Sequence, residues 1–211
     1  MKKPSKHVGT IINTKGSGDC IVLDIVGNDA TVRFLQTGYT TTVNRRALSM
    51  QTIKDPYYPS RYGVGYHGEG KHLRSVQGVD TKDYLRWSSM LSRCYHEPFL
   101  IKNERYRGCT VSEEWKCFQT FANDIQTIPG YAEYKADPTG YQLDKDILVP
   151  GNRCYSKETC MFVPVSVNSL EGIARQNGRD TTQIRMNAIK AASRPIGQIY
   201  QEVMPNQFDT Q

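Results

Sequence analysis

Short runs of alternating apolar and polar residues fill the first quarter of the chain. Residues 8–12, 20–26, 30–35 and 39–43 are rich in β-branched side chains, and Gly, Asn and Asp separate them. Such runs, punctuated by turn residues, are typical of β-strands joined by short turns. Four strands in so short a segment predict a small SH3-like β-barrel over residues 1–54.

The pattern is lost over residues 55–80, where prolines and glycines replace the alternation. Pro56 and Pro59 are followed by Gly63, Gly65, Gly68 and Gly70, with four tyrosines among them. Proline and glycine at this density favour irregular, extended chain. We therefore expect a Tyr- and Gly-rich linker here.

Helical spacing follows, with apolar residues three or four positions apart. The first predicted helix places four residues on one face: Tyr84, Trp87, Leu91 and Cys94. The second is expected to begin after Ser112 and to bury Trp115, Phe118, Ala122 and Ile125. Two shorter helical runs, 170–176 and 181–192, and a polar tail from Pro195 form a predicted extension over residues 171–211. The fold class is therefore expected to be α+β.

Composition indicates a polar protein without a membrane segment. Hydrophobic residues make up 38% of the 211 positions, and the mean hydropathy is −0.58. No run approaches the ~18 apolar residues of a membrane helix, and Val8–Asn13 is too short for the core of a signal peptide. We expect a cytoplasmic protein with no membrane partner.

The six cysteines contain no C-x-x-C pair. Structural zinc sites usually take ligands at such tight spacing, so we expect reduced thiols and no zinc. Convergence of Cys94, Cys109, Cys117 and Cys160 on an accessory zinc is the alternative.

The formal net charge of +6 is concentrated near the start of the chain. Residues 1–80 carry 11 Lys and Arg against 6 Asp and Glu, whereas residues 81–164 carry 11 of each. A basic excess of this kind suits a phosphate backbone, although it also occurs in proteins that bind no nucleic acid. The residues we expect to contact DNA are Lys15, Arg33, Arg45, Arg46 and Arg61, with Arg153 later in the chain.

One ordered set of polar residues lies between positions 143 and 168. It begins with Leu143-Asp144-Lys145-Asp146 on an apolar strand and continues with Gly151-Asn152 in a turn. A short helix is expected from near Ser156, and Asn168 closes the set. This order resembles the ββα-metal finger of HNH endonucleases, especially the phage and homing-endonuclease branch.

The resemblance extends to the segments before the finger. Trp87–Tyr95 and Tyr106–Trp115 are similar, in order and spacing, to a group of phage-encoded HNH-like proteins whose members often carry a barrel-like front part. It implies an HNH-like domain over residues 81–170 in a phage gene product of the host bacterial cytoplasm. It also implies that Asp144 and Asn168 hold Mg²⁺ or another divalent cation, and that Asn152 orders the loop.

Lys145 stands where that family carries the histidine that acts as general base. Phosphodiester hydrolysis needs a base to deprotonate water and a metal to hold a scissile oxygen. A lysine, with an ordinary pKa near ~10.4, is protonated at neutral pH and cannot accept that proton, but it binds phosphate well. A solvated charge cluster on a strand end is the simplest alternative for Asp144, Lys145 and Asp146.

Three functions remain open. The first is a DNA-binding protein on a catalytically degenerate nuclease scaffold. The second is an active metal-dependent nicking endonuclease, for which His96 could supply a base from outside the finger. The third is an interaction protein that binds and inhibits a host enzyme. The oligomeric state is not predicted by any feature of the sequence.

Overall fold

A four-stranded antiparallel sheet begins the chain in this computed structural model, which describes residues 7–192. Its strands pair in chain order: β1 (Ile11–Asn13), β2 (Asp19–Val26), β3 (Asp29–Phe34) and β4 (Thr40–Asn44). The four predicted strands are confirmed, but the closed barrel is not formed. Closure requires each strand to pair on both sides, and in the described chain the three-residue β1 pairs only with β2.

The inward face of the sheet follows the alternation of the sequence. Cys20, Val22, Ala30 and Val32 are fully buried on β2 and β3. Helix α1 (Arg45–Met50) begins after Asn44, whose side chain accepts a hydrogen bond from the backbone N–H of Ala47 at 2.8 Å, and it adds Leu48 to this core. The sheet therefore has a hydrophobic core of its own.

The Tyr- and Gly-rich segment is not a free linker over its first two thirds. The hydroxyl of Tyr39 donates to the carboxylate of Glu69 at 2.8 Å, and the hydroxyl of Tyr57 donates to it at 3.0 Å. The centroids of the two tyrosine rings lie 5.4 Å apart. The compact unit that contains the sheet accordingly runs to Lys71 and includes Cys117–Gln119. Ring contacts and a shared carboxylate order a segment in which the glycines alone suggested irregular chain.

A second compact unit comprises His72–Lys116 and the chain from Thr120 onward. A small hairpin, β5 (Ser75–Val76) and β6 (Val79–Asp80), precedes helix α2 (Lys82–Tyr95). The remaining elements are α3 (Glu97–Lys102), β7 (Thr110–Val111), α4 (Phe118–Asp124), α5 (Tyr131–Ala136), β8 (Tyr141–Asp144), β9 (Cys154–Tyr155), β10 (Met161–Pro164), α6 (Val165–Gln176) and α7 (Thr182–Ala191). Three turns of 3₁₀ helix lie at Glu104–Tyr106, Glu114–Lys116 and Ile125–Thr127.

The first predicted helix is confirmed as α2, and its four apolar residues are buried. The second is not one helix. It is divided into the 3₁₀ turn that carries Trp115, helix α4, and the 3₁₀ turn that carries Ile125. The Trp115 indole donates to Asp124 at 3.0 Å, so the break is stabilised by a side-chain hydrogen bond that apolar spacing does not reveal.

The finger region contains a second strand where we expected a helix. Residues after Ser156 form a turn, and 161–164 pair antiparallel with β8 as β10. Phe162 on this strand stacks on Tyr134 with ring centroids 4.2 Å apart. The helix that carries Asn168 begins only at Val165, immediately after the strand. β-Branched and aromatic residues at 161–164 pack better on a pleated surface than in a helical turn.

The chain is therefore a mixed helix-and-strand protein. Helix α7 agrees with the predicted run 181–192, whereas α6 begins at Val165, five residues before the predicted run 170–176. The polar tail from Pro195 lies outside the described residues. Between residues 7 and 192 no helix is both long and apolar enough to cross a lipid bilayer. All six cysteines are free thiols.

Candidate functional site

Strand β8, the loop after it and helix α6 line a cleft in the second unit. Asp144 ends β8 and pairs with Met161 of β10, and Pro164 leads directly from β10 into α6. Asn168 lies one turn into that helix. The long loop between the strands carries Asn152 and returns through β9, which pairs in parallel with β7.

The cleft has a volume of about 520 Å³. It brings together five of the predicted site residues, which are Asp144, Lys145, Asn152, Arg153 and Asn168. The other five predicted residues, Lys15, Arg33, Arg45, Arg46 and Arg61, belong to the first unit. Four of these are exposed and Arg61 is half-buried.

Asp144 is 8% exposed, and its position is set by the backbone that follows it. The N–H groups of Asp146 and Ile147 both donate to Oδ1 of Asp144 at 2.8 Å. Burial and the nearby carboxylate of Asp146 raise the pKa of Asp144 to about 6, although these two hydrogen bonds oppose the rise. A side-chain hydrogen bond between the Asp144 and Asp146 carboxyl groups adds to the rise, so the two carboxyl groups titrate as a pair.

Asp146 is held differently, by two cations. Its Oδ2 lies 2.7 Å from Nη1 of Arg175 and 3.5 Å from Nζ of Lys145. Burial acts to raise the pKa of Asp146, but the positive charges of Lys145 and Arg175 outweigh burial and lower it. The ammonium of Lys145 also lies 5.7 Å from the centre of the Tyr155 ring. Lys145 therefore contacts both a carboxylate and an aromatic face.

Asn152 orders the loop through its side-chain amide. Nδ2 donates to the carbonyl oxygens of Lys145 at 2.7 Å and Cys154 at 2.6 Å, and Oδ1 accepts from the N–H of Cys154 at 3.2 Å. These bonds connect the end of β8 to the start of β9. The hydrogen bonding predicted for this asparagine is thus present, and a catalytic role for it stays a prediction.

Three arginines of the cleft were missed by the sequence argument: Arg93, Arg105 and Arg175. Arg93 comes from α2 and Arg105 from the following 3₁₀ turn, so nothing in their sequence positions places them beside Asp144. Arg175 carried a usable signal, because it lies seven residues after Asn168 and therefore two turns further along the same helix. Arg153 lines the cleft while its guanidinium donates to the backbone oxygens of Arg105 and Arg107.

The donor atoms available for a metal are oxygens. Asp144 and Asn168 line the same cleft, and each side chain carries oxygen. One carboxylate, an amide and substrate phosphate are the ligands that Mg²⁺ commonly takes. No group of three or more His, Cys, Asp and Glu converges among residues 7–192. The arginines and Lys145 disfavour a divalent cation until an anion enters, so the residues fit a metal that arrives with phosphate.

None of the four histidines lines the cleft. Comparison with protein-family models, curated proteins and solved structures found no match to this chain. The resemblance to HNH endonucleases therefore rests only on the sequence motifs between residues 87 and 168.

Proposed function

We propose that this chain is a nucleic-acid-binding protein on a catalytically degenerate HNH endonuclease-like scaffold. The supporting observation is the charge of the cleft. Five cations line it, which are Arg93, Arg105, Lys145, Arg153 and Arg175, against the two carboxylates of Asp144 and Asp146. Phosphate contacts from Lys and Arg supply most of the affinity of sequence-independent nucleic-acid binding. The resemblance adds the setting, a phage gene product in the bacterial cytoplasm, to this proposal.

Lys145 supports binding over hydrolysis. A general base must accept a proton, whereas the side chain at this position is an ammonium, 3.5 Å from Oδ2 of Asp146 and 5.7 Å from the centre of the Tyr155 ring. With no histidine in the cleft, the described residues offer no neutral imidazole in its place. The same ammonium is suited to a phosphate oxygen.

An active metal-dependent endonuclease is the second candidate, and one observation favours it. Asp144 is held by two backbone N–H groups and shares the cleft with Asn168. This is the arrangement that the resemblance implies for a metal site. Lys145→His is the direct test of this candidate, since it returns an imidazole to the position of the general base.

The experiment that separates the candidates compares the native protein with Asp144→Asn on supercoiled plasmid in Mg²⁺ or Mn²⁺. We expect the native protein to retard the plasmid without nicking it. Asp144→Asn removes a negative charge from a basic cleft and should tighten binding. Metal-dependent nicking that Asp144→Asn abolishes would establish the endonuclease instead. Absence of binding to any nucleic acid would favour a host protein as the partner.

A further inference from the structure

The size of the cleft and its aromatic wall narrow the class of ligand beyond nucleic acid in general. We propose that the cleft binds one unpaired nucleotide, within a single strand or free, with its base against Tyr106 and Arg105 and its phosphate near Lys145. This inference rests on the nucleic-acid binding proposed above. A base-paired duplex would have to bind elsewhere or only through its outer phosphates.

The volume is the first argument. At about 520 Å³ the cleft falls within the range of small-ligand sites, which is roughly 300–1,000 Å³. A space of this size accommodates a nucleotide or two. It does not accommodate a double helix, whose bases are stacked and whose phosphates face outward on both sides.

The aromatic wall is the second argument. The ring of Tyr106 has the guanidinium of Arg105 at 5.2 Å and that of Arg93 at 5.7 Å from its centre, and the ring of Phe99 lies 5.7 Å away. Unpaired bases stack on aromatic rings and on guanidinium planes, irrespective of sequence. Arg105 is exposed, so its outer face is accessible to a base. In a duplex the faces of the bases are covered and this wall would have no function.

A further part of the lining comes from α6. Val165 and Ile173 are 42% and 57% exposed, with Ser169 and Gly172 between them. Small and apolar side chains of this kind contact a sugar or the edge of a base without competing for its hydrogen bonds. The amide of Asn168 lies on the same face and supplies a donor and an acceptor for a base edge or a phosphate.

Gly172 makes the proposal testable without disturbing the core. Gly172 lines the cleft, and a Cβ atom at this helical position would meet no heavy atom within 4 Å, so a larger side chain has room there. Gly172→Leu therefore blocks the cleft, and replacing a helical glycine favours folding. Ser166→Leu is the matched control, because Ser166 is exposed on the same helix but does not line the cleft.

The experiment measures fluorescence anisotropy with three labelled probes of equal length. These are an oligothymidylate, the same strand with abasic sites in place of its bases, and a duplex. We expect the native protein to bind the oligothymidylate roughly tenfold more tightly than the other two. Tyr106→Leu should weaken the oligothymidylate roughly five- to a hundredfold, with little effect on the abasic strand. Gly172→Leu should abolish the preference, and Ser166→Leu should retain it.

Equal affinity for the three probes, with Gly172→Leu and Tyr106→Leu both silent, would overturn the unpaired-nucleotide inference and leave nucleic-acid binding intact. Binding of none of the three probes would overturn the proposed function as well. Competition by thymidine monophosphate shows whether the cleft takes a free nucleotide or one within a single strand. Displacement of the strand by the free nucleotide, lost in Gly172→Leu but not in Ser166→Leu, supports a cleft for free nucleotides.

Discussion

Nη1 of Arg175 lies 2.7 Å from Oδ2 of Asp146, and this ion pair joins helix α6 to the loop that follows β8. Asp146 is almost buried, whereas the Arg175 side chain is 52% exposed. The pair therefore holds one side of the cleft in place and also reduces its positive charge. Both consequences can be measured.

Arg175→Gln should destabilise the protein by about 1 kcal/mol at neutral pH, since half of the pair is exposed to solvent. The pKa of Asp146 is lowered in the folded state, in part by Arg175, against an ordinary value of 3.8. Its contribution to stability is therefore complete above that pH and is lost as the pH falls below it. Urea unfolding at several pH values should show the two proteins converging in acid. The control is Arg179→Gln, at an exposed arginine three residues after the end of α6.

A second ion pair, fully buried, joins α6 to α7. Nε and Nη2 of Arg185 lie 2.9 and 2.5 Å from Oε1 of Glu171, whose side chain is 2% exposed. Glu171→Ala leaves a buried guanidinium without its carboxylate and should cost about 3–5 kcal/mol. The double variant Glu171→Leu, Arg185→Met replaces the pair with apolar groups and should recover much of that loss in thermal unfolding. A double variant no more stable than Glu171→Ala would show that the loss comes from packing and not from the charge.

Elements that depend on neighbouring residues could be predicted from the sequence, whereas pairings between distant parts of the chain could not. The alternation of Cys20, Val22, Ala30 and Val32 predicted β2 and β3 because both faces of a strand are read from neighbouring positions. Closure of the barrel could not be read in the same way, since it depends on whether β1 meets β4, which is a long-range pairing.

Only part of the cleft could be predicted, for the same reason. Asp144, Lys145 and Asn168 could be placed together because one short motif carries them. Arg93 and Arg105 could not be placed with them, because they reach the cleft from α2 and from the 3₁₀ turn at Glu104–Tyr106. Charge counted along the chain therefore assigned the basic surface mainly to the N-terminal third, with Arg153 as its one predicted contact in the cleft, and overlooked Arg93, Arg105 and Arg175.

Asp144 gives a pH dependence of opposite sign to that of Asp146. Its pKa is raised from 3.8 to about 6 in the folded protein, so the folded state binds the proton more tightly than the unfolded state does. Stability should therefore fall as the pH rises from about 4 to about 6, by up to about 3 kcal/mol. Asp144→Asn can keep both backbone hydrogen bonds through its amide oxygen. It should be more stable than the native protein at pH 7 and should lack this slope in denaturant titrations.

The salt dependence of DNA binding distinguishes the two basic surfaces. Each phosphate neutralised on duplex DNA contributes about −0.9 to the slope of log affinity against log salt. We expect the double variant Arg105→Gln, Lys145→Gln to reduce that slope by about 2 for a duplex that is bound at the cleft through its outer phosphates. The matched pair is Arg45→Gln, Arg46→Gln, at two exposed positions in the first turn of α1. A change in slope only in the Arg45→Gln, Arg46→Gln variant would show that the phosphate contacts lie in the first unit.

Asn152 is the residue for which structural and catalytic roles can be separated most directly. Asn152→Ala removes two donated hydrogen bonds and one accepted bond from the loop between β8 and β9, and should cost about 1–3 kcal/mol. The loss should be the same with and without Mg²⁺, because none of these bonds involves a ligand. Asn152→Asp keeps the acceptor but places a carboxylate against the carbonyl oxygens of Lys145 and Cys154. It should be less stable than Asn152→Ala at neutral pH and should recover in acid, where the protonated carboxyl donates one bond. A destabilisation of Asn152→Ala that appears only when metal is present would instead assign the residue to a metal site.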